Sequence, residues 1–220
     1  MAVAVLLLAL AVPRVVFAMR LLPGEEALDL IRSGTRPSDA GLTRAIDAQH
    51  AALATMSRAD VRMDVAYLAQ ALAESPDANE GDRAQLEGLA DSELRQSLAL
   101  APGNPRGWMM LAGARLNAGD RDGAAKALTV SFAADPHIPL LAPFRWALAL
   151  AVGNQLSRAT REWANLEFLS YFRLAPEMAV RQALRRQQLA ALTALAGDSG
   201  EDRDRLAQIL KRMRYGGAGT

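Results

Sequence analysis

Cysteine is absent from all 220 residues of this chain. That excludes disulfides, thiolate metal sites, iron–sulfur clusters and covalently attached haem, and also anchoring through an acylated N-terminal cysteine. It leaves the redox compartment open, because a cysteine-free chain suits a reducing or an oxidising space. Histidine is scarce: His50 and His137 are the only two, far apart and outside any H-E-x-x-H spacing. Both read as ordinary surface or interhelical residues. Lysine is confined to Lys126 and Lys211, so nearly all positive charge is arginine, as GC-rich coding would produce. Basic and acidic side chains number 25 and 24, and a net charge of +1 lacks the basic excess of a nucleic-acid binder. Aromatic residues are only 5% against 51% apolar, so the core must be built mainly from Ala, Leu and Val. Ala and Leu are the strongest apolar helix formers, which points to an all-α fold.

The usual marks of catalysis are missing as well. No glycine-rich loop follows a strand, and there is no P-loop and no G-x-S-x-G elbow. Acidic pairs occur at Glu25-Glu26, Asp60 with Asp64, and Glu201-Asp202. Arg58 and Arg62 interleave with Asp60 and Asp64, the pattern of a solvated, charge-laced helix face. We expect no enzyme activity, no catalytic residue, no cofactor, no metal and no small-molecule substrate.

What is present begins with an apolar run, Met1 to Val12, resumed over Val15 to Met19 after Pro13 and Arg14. The unbroken part has the length of a signal-peptide core, about 7–15 residues. Ala2 to Leu22 together approach the roughly 20 residues of a full span. Val16-Phe17-Ala18 offers a cleavage site. Residues 1–22 are therefore expected to be a signal peptide or a membrane anchor. Arg14, Arg20, Arg32 and Arg36 follow the run, and counted alone they favour a cytoplasmic domain. The signal-like length favours export, so we expect an inner-membrane anchor with a periplasmic domain, or secretion to the periplasm.

The most informative window runs from Pro105 through Trp108, Leu111, Ala112, Gly119-Asp120, Ala124, Leu128 and Ser131 to Pro136. It resembles the tetratricopeptide repeat, whose pattern is Trp, Leu-Gly, Tyr, then Ala, Phe and a closing Pro at fixed spacing. Ala112 stands for the family glycine and Leu128 for its phenylalanine, while Arg115 departs from the aromatic mark. Trp108 and Leu111 share a helix face. Gly119 suits the left-handed helix end and Asp120 the start of the next helix.

Pro102 precedes Pro136 by 34 residues, the family period. Ala90, Leu94, Ser97 and Leu98 repeat the spacing of Ala124, Leu128, Ser131 and Phe132, after a first helix expected over Ala59 to Glu74 and a loop over Ser75 to Asp82. A looser third unit has helices over Leu140 to Val152 and Ser157 to Leu174, with Ala164, Phe168 and Tyr171 on the second-helix marks. One helix is expected from Pro176 through Leu195 and a last one over Glu201 to Tyr215. The expected organisation is residues 1–22 as leader or anchor, 23–57 as a helical lead-in, 58–176 as repeats, 177–215 as capping helices and 216–220 as a disordered tail.

The resemblance implies a short α-solenoid of antiparallel helix pairs whose first helices line a groove. In the best-matched unit the groove marks are Arg106, Met109, Gly113, Leu116 and Asn117, with Met109 and Leu116 serving equally well as core. Family members that clamp acidic C-termini use Lys and Asn at such marks; Met, Gly and Leu dominate here. The basic clusters Arg181, Arg185, Arg186 and Lys211, Arg212, Arg214 read as solvated helix faces. The implied function is a scaffold or adaptor that binds a protein partner in a bacterial envelope assembly, with surface-polysaccharide biosynthesis or export as one setting. Cytochrome c maturation is an alternative setting, and a cytoplasm-facing membrane-bound regulatory module is another.

Overall fold

A computed structural model describes the backbone of residues 2–216 and the side chains of residues 11–214. Among them every regular element is helical: α1 (Ala2–Arg32), α2 (Asp39–Leu53), α3 (Ala59–Ala73), α4 (Glu80–Leu100), α5 (Pro105–Asn117), α6 (Arg121–Ala134), α7 (Ala142–Val152), α8 (Arg158–Leu174), α9 (Pro176–Arg185), α10 (Leu189–Gly197) and α11 (Gly200–Gly216), with a short 3-10 turn at Gly153–Gln155. Neighbours in sequence pack as pairs, notably α1 with α2, α3 with α4, α7 with α8 and α10 with α11. The chain divides into two compact units, Met1–Asp120 and Arg121–Thr220, and the boundary falls at the Gly119-Asp120 turn of the best-matched window.

In the first unit α1 runs through the segment boundary expected between residues 22 and 23 and continues to Arg32, with Pro13 and Pro23 inside it. Each proline costs a backbone hydrogen bond, and packing offsets the loss. Phe17, Ala27 and Leu28 are buried. Arg20 donates to the Ala51 carbonyl at 2.8 Å and to Thr55 Oγ1 at 2.9 Å. Gly24 lies directly on the buried Gln49 side chain: a β-carbon there would sit 2.0 Å from Gln49 Nε2. The side chains of residues 1–10, part of the anchor expected over residues 1–22, lie outside the described residues. Among those described, no helix is long and apolar enough to cross a membrane.

Helices α2, α3 and α4 are tied by the nearly buried Glu93, which accepts from Arg62 Nη1 at 2.7 Å and faces His50 Nε2 at 3.4 Å. Ser97 donates to the Ala59 carbonyl at 2.7 Å. α4 begins at Glu80, earlier than the loop expected through Asp82, because Asn79 caps it by accepting from the Asp82 amide at 2.9 Å.

In the second unit Trp146 of α7 stacks on Phe168 of α8, centroids 4.0 Å apart. Its indole donates to Asn165 Oδ1 at 3.2 Å. The single helix expected from Pro176 through Leu195 is two helices. At the break Gln187 takes a left-handed φ of 57°, the Gln187 amide bonds the Leu184 carbonyl at 3.1 Å, and the Gln188 amide bonds the Ala183 carbonyl at 2.7 Å. That is a Schellman closure with glutamine where glycine is usual, so no glycine marks it in the sequence. The expected tail, 216–220, falls beyond Gly216 outside the described residues.

The paired repeat positions are uniformly interior. Ala90, Leu94, Ser97 and Leu98, then Ala124, Leu128, Ser131 and Phe132, then Ala164, Phe168 and Tyr171 are all buried. Gly119 has a φ of 79°, and the Asp120 amide closes on the Arg115 carbonyl at 2.8 Å, as the turn reading requires.

Candidate functional site

The five groove residues all sit on α5, whose start is well built. Asn104 Oδ1 accepts from the Arg106 and Gly107 amides at 3.0 and 3.2 Å, and Pro105 occupies the first turn. Trp108 locks the preceding turn by donating to the Pro102 carbonyl at 2.7 Å. Gly107, Met110, Leu111 and Ala114 are buried along one side of the helix, and Ala112, four residues before Leu116, is buried as well. Gly107 permits the close seat, since a β-carbon there would lie 3.0 Å from Leu98 Cδ2 and 3.5 Å from Met63 Sδ.

The candidate residues occupy the other side. Arg106 and Asn117 are exposed, while Met109, Gly113 and Leu116 are half-buried. Spacings of three and four place them on one stripe. Asn117 also borders a depression of about 400 Å³ shared with Gln70, Glu74, Arg83 and Glu87. Met109 and Leu116 are therefore neither sealed in the interior nor fully solvated.

Asp64 of α3 joins this stripe electrostatically. Burial pushes its carboxyl up to about 6; the positive charge of Arg106 pulls it down and Asp60 pushes it up, with weaker opposing effects from Arg32 and Glu25 of α1. Asp64 makes no ion pair among the described residues. A half-buried carboxylate in the field of an arginine is a group with unspent hydrogen-bonding capacity beside the α5 stripe. Sequence reasoning placed Asp64 on a solvated face. Its four-residue spacing from Asp60 was visible, but the burial that shifts it comes from packing.

A second concavity of about 440 Å³ lies between α2 and α4, bordered by Asp39, Ser75, Asp77 and Asp82 with Leu72 and Leu86 beneath. Ser75 is buried and donates to the Asp39 carboxylate. Nothing in the sequence pointed to it, because its acids come from three separate loops and helix starts.

His50 faces Glu93, and His137 is exposed, its amide bonded to Asp135 Oδ1 at 3.1 Å. Among the described residues, no group of three or more His, Asp or Glu side chains is arranged to hold a metal ion.

The most constrained polar cluster is Arg145 with Glu167 in the second unit. Arg145 is fully buried in α7; Nε donates to Ser131 Oγ at 3.0 Å, Nη2 to the Ser131 carbonyl at 2.9 Å, and Nη1 to the Asp135 carbonyl and Glu167 Oε1, both at 2.9 Å. Glu167 Oε1 also accepts from the Ile138 amide at 2.9 Å. These bonds join α7, α8 and the end of α6. An arginine inside the apolar run Ala142–Val152 was the available signal for it.

No protein-family model matches the chain, and no curated protein matches it. The repeat resemblance therefore rests on the Pro105–Pro136 sequence marks.

Proposed function

We propose that this protein is a non-catalytic helical adaptor of tetratricopeptide type, tethered to the bacterial inner membrane by its N-terminal helix and binding a protein partner on the open side of α5. The observation that carries the reading is the division of α5. One side is sealed by close packing and a full cap, while Met109, Gly113 and Leu116 stay half-open between the polar ends Arg106 and Asn117. An adaptable apolar strip with polar ends suits a peptide or helix ligand.

The tether is a retained anchor in this reading rather than a cleaved leader. Cleavage after Ala18 would remove the buried Phe17, and Arg20 is bonded into α2. A periplasmic domain serving polysaccharide biosynthesis or export is the setting we favour, by family analogy alone. The arginines that follow the apolar run favour the second reading, a cytoplasm-facing regulatory module.

The deciding experiment replaces Met109 and Leu116 by Asp in the full chain and recovers crosslinked partners from membranes. Loss of a specific partner with an unchanged circular dichroism spectrum supports the α5 site. Loss of the fold makes these residues core and overturns it. Fusion of residues 1–30 to a reporter active only outside the cytoplasm tests orientation, and an inactive reporter overturns the periplasmic reading.

A further inference from the structure

The second unit carries its own open strip, on a helix that the α5 reading does not use. Leu140, in the turn before α7, is 83% exposed, and Phe144, on the first turn of the helix, is 42% exposed. Leu148 is half-buried and Ala151 exposed, and the spacings 144, 148 and 151 place these three on one face. The other side of α7 is among the most sealed surfaces in the molecule, with Arg145 and Trp146 at 1% exposure or less. The strip is thus an apolar stretch on a rigid helix, continuous over two turns.

Its two ends are cationic. The Arg186 guanidinium lies over the Phe144 ring, 5.0 Å from the centroid. At the other end Arg121 Nη1 reaches the Ala151 carbonyl at 3.4 Å. Neither arginine has a carboxylate within ion-pair distance among the described residues. Several other exposed arginines of this unit are matched, Arg158 with Glu162, Arg181 and Arg212 with Glu177, Arg173 with Asp202, while Arg161, Arg185 and Arg203 make no ion pair among the described residues; Arg121 and Arg186 are set apart by their place at the two ends of the apolar strip. From Phe144 to Ala151 the helix rises about 10 Å.

The geometry points to α7 as a docking face for an acidic amphipathic segment of a partner protein: apolar residues against Leu140, Phe144 and Leu148, and carboxylates about two helical turns apart on Arg186 and Arg121. Charge complementarity selects this occupant. A basic segment meets two unmatched guanidiniums, and a wholly apolar one leaves both unpaired. The inference rests on the reading of the chain as a protein-binding module, but it uses a face of the second unit, so the two sites fail separately.

The test uses the full chain in nanodiscs of neutral lipid and two fluorescent helical peptides with identical leucine faces, one flanked by Glu and one by Lys. Fluorescence anisotropy should show binding of the Glu peptide, about tenfold or more weaker binding of the Lys peptide, and weakening with salt. Phe144→Ala should weaken the Glu peptide about tenfold or more. Arg121→Glu with Arg186→Glu should reverse the preference; both are surface changes, and the milder pair Arg121→Gln with Arg186→Gln should abolish it. The Met109→Asp, Leu116→Asp variant should bind the Glu peptide normally, and loss there places the peptide on α5 and overturns the α7 site. Equal binding of both peptides, or none up to about 1 mM, overturns it too. So does concentration-dependent self-association that Phe144→Ala removes, since the occupant is then a second copy.

Discussion

Arg145 Nη1 and Glu167 Oε1 meet 2.9 Å apart with their side chains 0% and 3% exposed, and the second carboxylate oxygen of Glu167 has no hydrogen-bond partner. Burial works against both charges, drawing the Arg145 guanidinium down and pushing the Glu167 carboxyl up, while the pair bond and the Ile138 amide offset part of that. Such a pair contributes little net stability relative to apolar packing, yet losing one partner strands the other charge.

Arg145→Met should therefore destabilise the second unit by about 3–5 kcal/mol, and Arg145→Met combined with Glu167→Leu should cost less than that single change. The single variant also gains a pH signature. Without the arginine, the Glu167 carboxyl rises further above its unfolded value, so the folded state binds the proton more tightly. The deficit then shrinks as pH falls through the folded value. Urea unfolding at pH 5 and pH 7, followed by hydrogen exchange of α7 and α8, checks both points. A deficit equal at the two pH values would contradict the account.

Asp64 makes the corresponding prediction for the first unit. Its folded value of about 6 exceeds the usual carboxylate value of 3.8. The unfolded state therefore gives up the proton first, and stability falls as pH rises from about 4 through 6. Asp64→Asn should remove that slope and stabilise the fold at pH 7 by about 1–2 kcal/mol, with no difference near pH 4. Thermal unfolding from pH 4 to 8 measures it. If the Arg106 field governs Asp64 instead of burial, the variant will be the less stable one at pH 7.

Local chemistry was legible in the sequence where it alone decides structure. The α3 start at Ala59, the Gly119 turn, the start of α8 at Ser157 and the interior second-helix marks all follow from short-range spacing and turn chemistry. Ser157 Oγ accepts from the Thr160 amide at 3.1 Å. What could not be read depends on distant partners. Pro23 looked like a boundary because nothing nearby shows that Gln49 lies against Gly24. The α9–α10 break was hidden because glutamine, not glycine, adopts the left-handed turn. Of the candidate site, the α5 stripe was readable from the repeat marks, whereas the shifted Asp64 and the α7 strip needed the fold.

That glutamine yields a direct test. A non-glycine residue in the left-handed region carries a steric penalty of about 1–2 kcal/mol. Gln187→Gly should relieve most of it and stabilise the second unit by about 0.5–1 kcal/mol, the greater unfolded-chain freedom of glycine taking back the remainder. Gln187→Val should destabilise by about 1 kcal/mol or more, because β-branching worsens the clash. Denaturant midpoints at constant slope discriminate the two. Equal midpoints for the glycine and valine variants would mean that the turn does not hold this conformation.

The contact of Gly24 with Gln49 decides how firmly α1 belongs to the first unit. Gly24→Ala places a methyl 2.0 Å from Gln49 Nε2 and 2.6 Å from its Cδ, and Gln49 is only 1% exposed, so the whole side chain must shift in a closed space. The expected cost is about 1–3 kcal/mol. Gln49→Ala alone deletes an amide whose Oε1 lacks a partner, which offsets the cavity it leaves. The combined Gly24→Ala, Gln49→Ala chain should recover most of the loss, with a coupling of about 1–2 kcal/mol. Hydrogen exchange of the α1 and α2 amides reads the effect where it arises. Additive costs in the double variant would show that α1 does not rest on α2 at this point, and the case for a retained anchor would lose its main support.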